Sequence, residues 1–333
     1  MCNSIRWVIV YSIVAVGIVV SSIAYNVDDA FPNPIYRIPP SANDSALVEL
    51  GRTLFYDPLL SADSTTSCGS CHQQFAAFAH VDHALSHGVF GRVGTRNVPS
   101  LQNLAWQPSF MWDGAIMHLD MQSISPLTSA NEMGTTFPNI LSVLRSNEIY
   151  FTQFYNAFGD SVITAPRLLT ALGRFCATFV SNSSRYDRHR AGAETFNDQE
   201  TRGLLLVRTY CGTCHAEPLF TDHSFRSNGL PMDSALQDSG RIRVTFAEQD
   251  RLRFKVPSLR NIAVTHPYMH DGRFKRLRDV LDFYASPQRR ASHSDPLVKS
   301  IDTLTSEDRK DIIAFLLTLT DTAFLQREAY TMR

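Results

Sequence analysis

Apolar residues recur at helical spacing in several separate segments of this chain. In residues 44–55, Leu47, Leu50 and Leu54 fall on one helical face together with Phe55, a pattern that predicts an amphipathic helix. Similar periodicity predicts helices over residues 139–158, 164–180, 275–284 and 306–319. Asn197 and Asp198 are predicted to cap one more helix. Strand signals are sparse, so the pattern predicts a mainly α-helical protein with long connecting loops.

The N-terminus differs from the rest in being continuously apolar. Residues 7–24 are uncharged and follow Arg6, and Ser22, Ile23 and Ala24 offer the small residues that a signal peptidase accepts. Residues 1–24 are therefore predicted to be a signal peptide. An uncleaved N-terminal anchor is the alternative, because the stretch is near the lower limit for spanning a bilayer. Either interpretation places the body of the protein in the periplasm.

Two copies of Cys-x-x-Cys-His supply the candidate chemistry, at Cys68-Gly69-Ser70-Cys71-His72 and Cys211-Gly212-Thr213-Cys214-His215. This pentapeptide is the attachment site of c-type haem: the two thiols add to the haem vinyl groups and the histidine binds the iron. A zinc site built from two Cys-x-x-Cys pairs is the alternative, but it does not explain the histidines. Of the six cysteines, Cys176 is predicted to be a small buried hydrophobe and Cys2 precedes the export segment.

The two motifs also suggest a domain organisation. About 300 residues follow the leader, which is enough for two compact domains. We predict a first haem domain over residues 41–182, an extended linker over 183–197 and a second haem domain over 198–333, related by a distant internal duplication. The formal net charge is -1, so nothing in the composition indicates binding to nucleic acid or to an anionic membrane.

Several further segments, in this order, give the chain a specific resemblance. They are Leu50-Gly51-Arg52-Thr53-Leu54-Phe55, Arg96-Asn97-Val98-Pro99-Ser100-Leu101, Met111-Trp112-Asp113-Gly114, Asn131-Glu132-Met133, Phe220-Thr221-Asp222, Val256-Pro257-Ser258-Leu259-Arg260-Asn261 and Pro267-Tyr268-Met269-His270-Asp271-Gly272. With the two haem motifs, the chain resembles the bacterial di-haem cytochrome c peroxidase family, and especially its MauG-like branch. The resemblance implies two tandem class I cytochrome c-like domains, each with one covalent haem.

The resemblance also implies roles for residues around the first haem. His72 would hold the iron at which peroxide is cleaved, with Glu132 moving a proton between the peroxide oxygens, Gln122 donating hydrogen bonds and Pro126 limiting access. The alternative is that Glu132 only caps a turn near Asn131. Trp112 matches the tryptophan that relays electrons between the haems, whereas Trp106 has no such match and is interpreted as packing.

Around the second haem, His215 and Tyr284 match the two iron ligands of the MauG-like branch. Ordinary peroxidases of the family have Met in place of this tyrosine, and a hard, anionic phenolate is expected to lower the haem potential. The alternative is that Tyr284 is a core residue and Met269 is the ligand.

Asn97, Thr265 and Pro267 match the ligands of a calcium ion between the domains. His87 is the candidate for a second histidine that binds the first iron at rest, with His80 and His83 as competitors and a solvated loop histidine as the common alternative.

Three functions follow from this interpretation. The primary hypothesis is a periplasmic peroxidase that reduces hydrogen peroxide with electrons from a small cytochrome, a cupredoxin or a quinol-linked protein. The second is a MauG-like oxidase that modifies a protein substrate, which Tyr284 favours. The third is a non-enzymatic di-haem electron carrier, which the pairing of Glu132 with Gln122 disfavours. A homodimer is compatible with the sequence, and no nucleic-acid partner is expected.

Overall fold

The structure is a computed structural model that describes residues 31–37, 42–287, 290–291 and 293–332. The predicted leader, residues 1–24, lies outside the described residues. Within the described ranges, no helix is both long and apolar enough to cross a bilayer.

The described residues form a mainly helical structure, as predicted. The helices are α1 (Ala42–Tyr56), α2 (Cys68–Cys71), α3 (Ile124–Thr128), α4 (Phe137–Arg145), α5 (Glu148–Phe158), α6 (Ala165–Ala177), α7 (Arg185–Arg190), α8 (Asp198–Tyr210), α9 (Ile242–Thr245), α10 (Leu277–Tyr284), α11 (Ser306–Leu317) and α12 (Thr322–Leu325). Strands β1 (Phe225–Arg226) and β2 (Phe254–Lys255) pair antiparallel, with Phe225 opposite Lys255. Single turns of 3-10 helix occupy many of the loops.

The predicted helical segments are confirmed, and the segment 139–158 is divided into two helices. The structure has two helices in this region, α4 and α5, separated at Ser146 and Asn147. The Asn147 side chain accepts a hydrogen bond from the main-chain N–H of Ile149 at 3.1 Å, and this cap begins a new helix. Apolar periodicity continues across the break, which is why the sequence pattern did not reveal it.

A first hydrophobic core forms where α1 crosses α6. The crossing requires glycine at position 51, because a Cβ there would lie 2.0 Å from the main-chain oxygen of Ala171. Aromatic rings fill the space beside the crossing, including Phe78 stacked on Phe179 with ring centroids 3.8 Å apart. Tyr330, near the C-terminus, is fully buried in the same core, so the end of the chain returns to the first half of the molecule.

A second core repeats this arrangement where α8 crosses α11. A Cβ at Gly203 would lie 2.0 Å from the main-chain oxygen of Asp311 and 2.8 Å from the Cβ of Phe315. A Cβ at Gly51 would lie at the same two distances from the main-chain oxygen of Ala171 and the Cβ of Phe175 in α6. The two helix crossings are therefore equivalent, and each lies next to one Cys-x-x-Cys-His motif in the chain.

The segment 183–197, predicted to be an extended linker, contains the short helix α7. Ser184 and Asp187 form a capping box that satisfies the first N–H groups of this helix. Asp187 also forms a bidentate ion pair with Arg260, whose side chain is 0% exposed. Tyr186 is buried in the second core. The prediction of an extended chain is thus wrong, because local capping and the ion pair favour a helix; the domain boundaries themselves stay a prediction.

The two halves meet through a reciprocal pair of main-chain hydrogen bonds. The N–H of Asn97 donates to the oxygen of His270, and the N–H of Lys255 donates to the oxygen of Trp112, both at 2.7 Å. A constant offset in residue number relates Asn97 to Lys255 and Trp112 to His270. The interface is therefore close to two-fold symmetric, with the segment after each cysteine motif contacting its counterpart.

Candidate functional site

A cavity of about 810 Å³ lies between the halves of the molecule and reaches both cysteine motifs. Its lining includes Cys68, Cys71, His72, Trp112, Gln122, Pro126, Glu132, Cys211, Cys214, His215 and Tyr284. The structure thus brings residues of all three predicted groups, haem attachment, first distal pocket and second axial ligand, onto one continuous surface.

Both motif histidines are partly buried and are held by main-chain carbonyls. Nδ1 of His72 lies 2.6 Å from the oxygen of Phe78, and Nδ1 of His215 lies 3.2 Å from that of Phe220 and 3.1 Å from that of Pro257. These contacts require a proton on Nδ1 and leave Nε2 unprotonated. Burial lowers the pKa of His72 to about 4 and also lowers the pKa of His215. Neutral imidazoles oriented by a carbonyl are suited to binding a metal.

The four motif cysteines are free thiols. Burial raises the pKa of Cys68 and of Cys211 to about 12, and it raises the pKa of Cys71 and of Cys214 as well. In the described part of the chain, no three His, Cys, Asp or Glu side chains gather as a metal ion would require. A zinc site with four thiolates therefore does not fit the described residues, whereas two thiols and an oriented histidine in each motif fit a covalently attached haem.

Glu132 lies in the cavity wall beside the first motif. Burial raises its carboxyl pKa, and its carboxylate charge contributes to raising the pKa of Cys71, so the carboxylate and this thiol are neighbours. Among the described residues no group donates a hydrogen bond to the Glu132 side chain, so it does not cap the turn near Asn131. Pro126 accepts the N–H of Met133 through its main-chain oxygen at 3.1 Å, which ties the two sides of this pocket together.

His87 does not line the cavity. Its side chain is exposed, and its main-chain oxygen accepts a hydrogen bond from the Cys71 thiol at 3.3 Å. The ring of His87 packs on His83 with centroids 4.1 Å apart, and His83 packs on His80 at 5.2 Å. A role for His87 as an iron ligand stays a prediction.

At the second motif, Tyr284 and Met269 both face the cavity. Burial raises the pKa of Tyr284 to about 12, and a hydrogen bond from Asn228 opposes this effect. Asn228 is a residue that the sequence analysis missed, because it lies in a loop without a motif.

The residues predicted to relay electrons and bind calcium occupy the junction of the two halves. Trp112 donates from Nε1 to the main-chain oxygen of Asn97 at 2.9 Å. The Asn97 amide donates to the oxygen of Ala84 at 2.9 Å, and no described donor contacts its side-chain oxygen. No described donor contacts the main-chain oxygens of Thr265 and Pro267, which line the same cavity. Calcium accepts neutral oxygens of this kind, and a calcium site at these residues stays a prediction.

Trp106 packs as expected from the sequence. Its ring meets Phe31 edge to face at 5.4 Å, and its Nε1 donates to the main-chain oxygen of Pro32 at 2.7 Å.

Lys255 is a second residue that the sequence analysis missed. It is buried at the junction, where its ammonium group donates to the main-chain oxygen of Ser109 and lies 3.3 Å from the side-chain oxygen of Gln107. Burial lowers the pKa of Lys255 to about 7, which the nearby carboxylate of Asp113 only partly opposes. No local pattern signals this lysine, because its burial arises from contacts distant in sequence.

Comparisons with known proteins point to one family. The family model described as di-haem cytochrome c peroxidase matches residues 45–195. The chain is 33% identical to the methylamine utilization protein MauG of Methylophilus methylotrophus, over 87% of this chain and 86% of that protein. It is 32% identical to the cytochrome c551 peroxidase of Nitrosomonas europaea, over 86% and 83% of the two chains. The crystal structure of a MauG-like protein associated with microbial copper homeostasis superposes with a TM-score of 0.81 at 29% identity, covering 92% of this chain and 98% of that one.

Proposed function

Because this chain belongs to the di-haem cytochrome c peroxidase family, we propose that it reduces hydrogen peroxide to water with electrons from a small redox protein. Glu132 carries this proposal, since it is a partly buried carboxyl group of raised pKa in the wall of the cavity that reaches the first motif. The overall reaction takes one peroxide, two protons and two electrons and yields two waters. Two molecules of a one-electron donor, such as a cytochrome c or a cupredoxin, would supply the electrons.

Two haem c groups would supply the redox-active irons when bound. One would be held by Cys68, Cys71 and His72, and the other by Cys211, Cys214 and His215. The main-chain carbonyls that accept from the Nδ1 atoms of His72 and His215 would keep the Nε2 atoms directed at the two irons. The chain folds so that both motifs share one cavity, which supports a path for electrons between them.

Glu132 would act as the proton carrier of the reaction. As a carboxylate it would take the proton from the inner peroxide oxygen and return it to the outer oxygen, so that the outer oxygen leaves as water when the O–O bond breaks. The raised pKa suits this role, because a carboxylate accepts a proton more readily when its pKa is closer to the working pH. Gln122 would offer hydrogen bonds to the peroxide, and Pro126 would limit which molecules can approach the peroxide site.

Trp112 would relay electrons between the two halves. Its ring nitrogen is hydrogen-bonded to Asn97, and its main-chain oxygen accepts from Lys255. The indole is therefore oriented by the first half, while the main chain that carries it is bound by the second half. Calcium bound by Asn97, Thr265 and Pro267 would stabilise the same junction.

A MauG-like oxidation of a protein substrate is the second candidate function. It is favoured by Tyr284, which faces the cavity at the second motif and is hydrogen-bonded by Asn228. A phenolate ligand stabilises higher oxidation states of iron, which such an oxidation would use. The relatives at 32–33% identity include both a MauG and a peroxidase.

We also propose the two tandem class I cytochrome c-like domains, over residues 41–182 and 198–333. The equivalent helix crossings at Gly51 and Gly203 support this proposal. A periplasmic location, with residues 1–24 as signal peptide or anchor, stays a prediction from the sequence.

The peroxidase proposal is tested by replacing the proton carrier alone. In the holoprotein with both haems, Glu132→Gln should lower the kcat for peroxide about 10²- to 10⁴-fold, the usual contribution of general acid–base catalysis. Glu148→Gln is the matched control, because Glu148 is an exposed carboxyl group in the first turn of α5. Turnover that is the same in both variants would remove Glu132 from the mechanism.

Electron paramagnetic resonance of the oxidised holoprotein separates the two candidate functions. A high-spin signal that disappears with stoichiometric peroxide in the absence of a donor would favour the MauG-like oxidase. Signals that respond to peroxide only after one-electron reduction would favour the peroxidase. Signals that peroxide leaves unchanged both before and after one-electron reduction would indicate an electron carrier instead.

A further inference from the structure

One side-chain amide contacts both candidates for the second axial ligand. Asn228 follows β1 by two residues, and its Nδ2 lies 3.3 Å from the hydroxyl oxygen of Tyr284 and 3.3 Å from the sulfur of Met269. An amide NH₂ group carries two hydrogens. It can therefore donate to the tyrosine oxygen and to the thioether at the same time.

The orientation of this amide is determined by its other end. The side-chain oxygen of Asn228 accepts the main-chain N–H of Leu230 at 3.0 Å, so the NH₂ group is the end that faces Tyr284 and Met269. The loop around it is anchored as well: the oxygens of Ser227 and Gly229 accept N–H groups of Asp295 and Ala291 at 2.8 and 2.7 Å. The amide is thus presented on a fixed main chain.

The conformation of Met269 does not mark it as the ligand. Its φ of 76° lies in the left-handed region, which is unusual for a residue other than glycine. Met111, at the corresponding position of the first half, has a φ of 68°. The positive φ therefore belongs to a turn that occurs in both halves, and it gives no reason to prefer Met269 over Tyr284.

We propose that Asn228 is a positioning residue for the second iron: its amide holds the Tyr284 oxygen in the ligand position, weakens the electron donation of that oxygen, and engages the Met269 sulfur. The proposal rests on the assignment of Tyr284 as axial ligand made above. A hydrogen bond to an anionic oxygen withdraws electron density from it, and such bonds are stronger than bonds between neutral groups. Removing the donor makes the phenolate a stronger ligand, which stabilises the ferric iron.

Two variants test this proposal in the holoprotein. Asn228→Leu removes both hydrogens with little change in size. Asn228→Ser keeps an oxygen that can accept the Leu230 N–H, but its side chain is too short to reach Tyr284, so it retains the turn and loses only the contact. The matched control is Asn147→Ser, because Asn147 accepts the N–H of Ile149 in the same way at 3.1 Å and caps helix α5 outside the cavity. The measurements are the low-spin resonance of the second iron and its reduction potential.

Both Asn228 variants should shift the ferric-to-ferrous ratio at a fixed potential about tenfold toward ferric iron, or ~59 mV for a one-electron couple. Both should alter the low-spin resonance, and Asn147→Ser should change neither. A potential that is unchanged or raised in haem-replete Asn228→Leu and Asn228→Ser would overturn the proposal.

Two further variants distinguish this proposal from the ligand assignment on which it rests. Tyr284→Phe should abolish the low-spin resonance of the wild type, and Met269→Leu should leave it unchanged. If Tyr284→Phe leaves the resonance intact, or Met269→Leu removes it, both the ligand assignment and the role of Asn228 are wrong. If Tyr284→Phe behaves as expected while the Asn228 variants do not, only the role of Asn228 is wrong.

Discussion

Gly203→Ala should separate the two helices that form the second core. The substitution places a Cβ 2.0 Å from the main-chain oxygen of Asp311, and ordinary contact between such atoms begins at 3.4 Å. The obstructing atoms include main-chain oxygen and carbon of α11 and the Cβ of Phe315, none of which can rotate away. Helices α8 and α11 must therefore move apart by more than an ångström.

The expected change in the free energy of unfolding is the sum of two opposing effects. Overpacking of a close-packed core costs about 1–3 kcal/mol, and the upper end applies because rigid main-chain atoms must move. Replacing a glycine inside a helix by alanine returns about 1 kcal/mol. The net loss should be about 2 kcal/mol in the free energy of unfolding, which for a domain of roughly 150 residues lowers Tm by about 4–8 °C.

Thermal unfolding of the holoprotein, followed by circular dichroism, measures this loss. Thr201→Ala is the control, since Thr201 is an exposed residue of the same helix and its replacement should change the free energy by less than about 0.5 kcal/mol. Gly51→Ala, at the equivalent crossing, should be destabilising to a similar degree. If Gly203→Ala has the Tm of the wild type, the two helices are not in the close contact on which the prediction depends.

Three other predictions follow from buried charges. Asp187→Asn leaves the buried guanidinium of Arg260 without its ionic partner and should cost about 3–5 kcal/mol in urea unfolding; a loss below about 1 kcal/mol would contradict this. The pKa of Lys255 is lowered to about 7, so between pH 7 and 10 the unfolded chain binds more protons at this residue and the stability contribution of Lys255 rises with pH. Lys255→Met should flatten the plot of unfolding free energy against pH, and an equal slope in both proteins would refute this. Since burial raises the pKa of Glu132, peroxide turnover should decline as pH falls through a value above that of an ordinary glutamate, and an acid limb that persists in Glu132→Gln would assign it to another group.

Much of the local structure could be predicted from the sequence. The helices α1, α6, α8, α10 and α11 begin and end within a few residues of the periodic segments that predict them, because a helix depends on its apolar spacing and on caps such as Asn197. The breaks were harder to predict. Asn147 caps the start of α5, and Ser184 with Asp187 caps α7. In both places the cap consists of one or two polar side chains within otherwise ordinary sequence.

By itself the sequence determined the two Cys-x-x-Cys-His motifs, the helical class and, through resemblance, the family, because each depends on residues that are near one another in the chain. Only the tertiary structure placed Glu132, Trp112 and Tyr284 on one cavity and revealed the buried Lys255 and the amide of Asn228. It also showed that Tyr330, near the C-terminus, is buried in the core of the first half. Burial, distance and pKa depend on which distant segments pack together, and spacing along the chain carries no direct record of that packing.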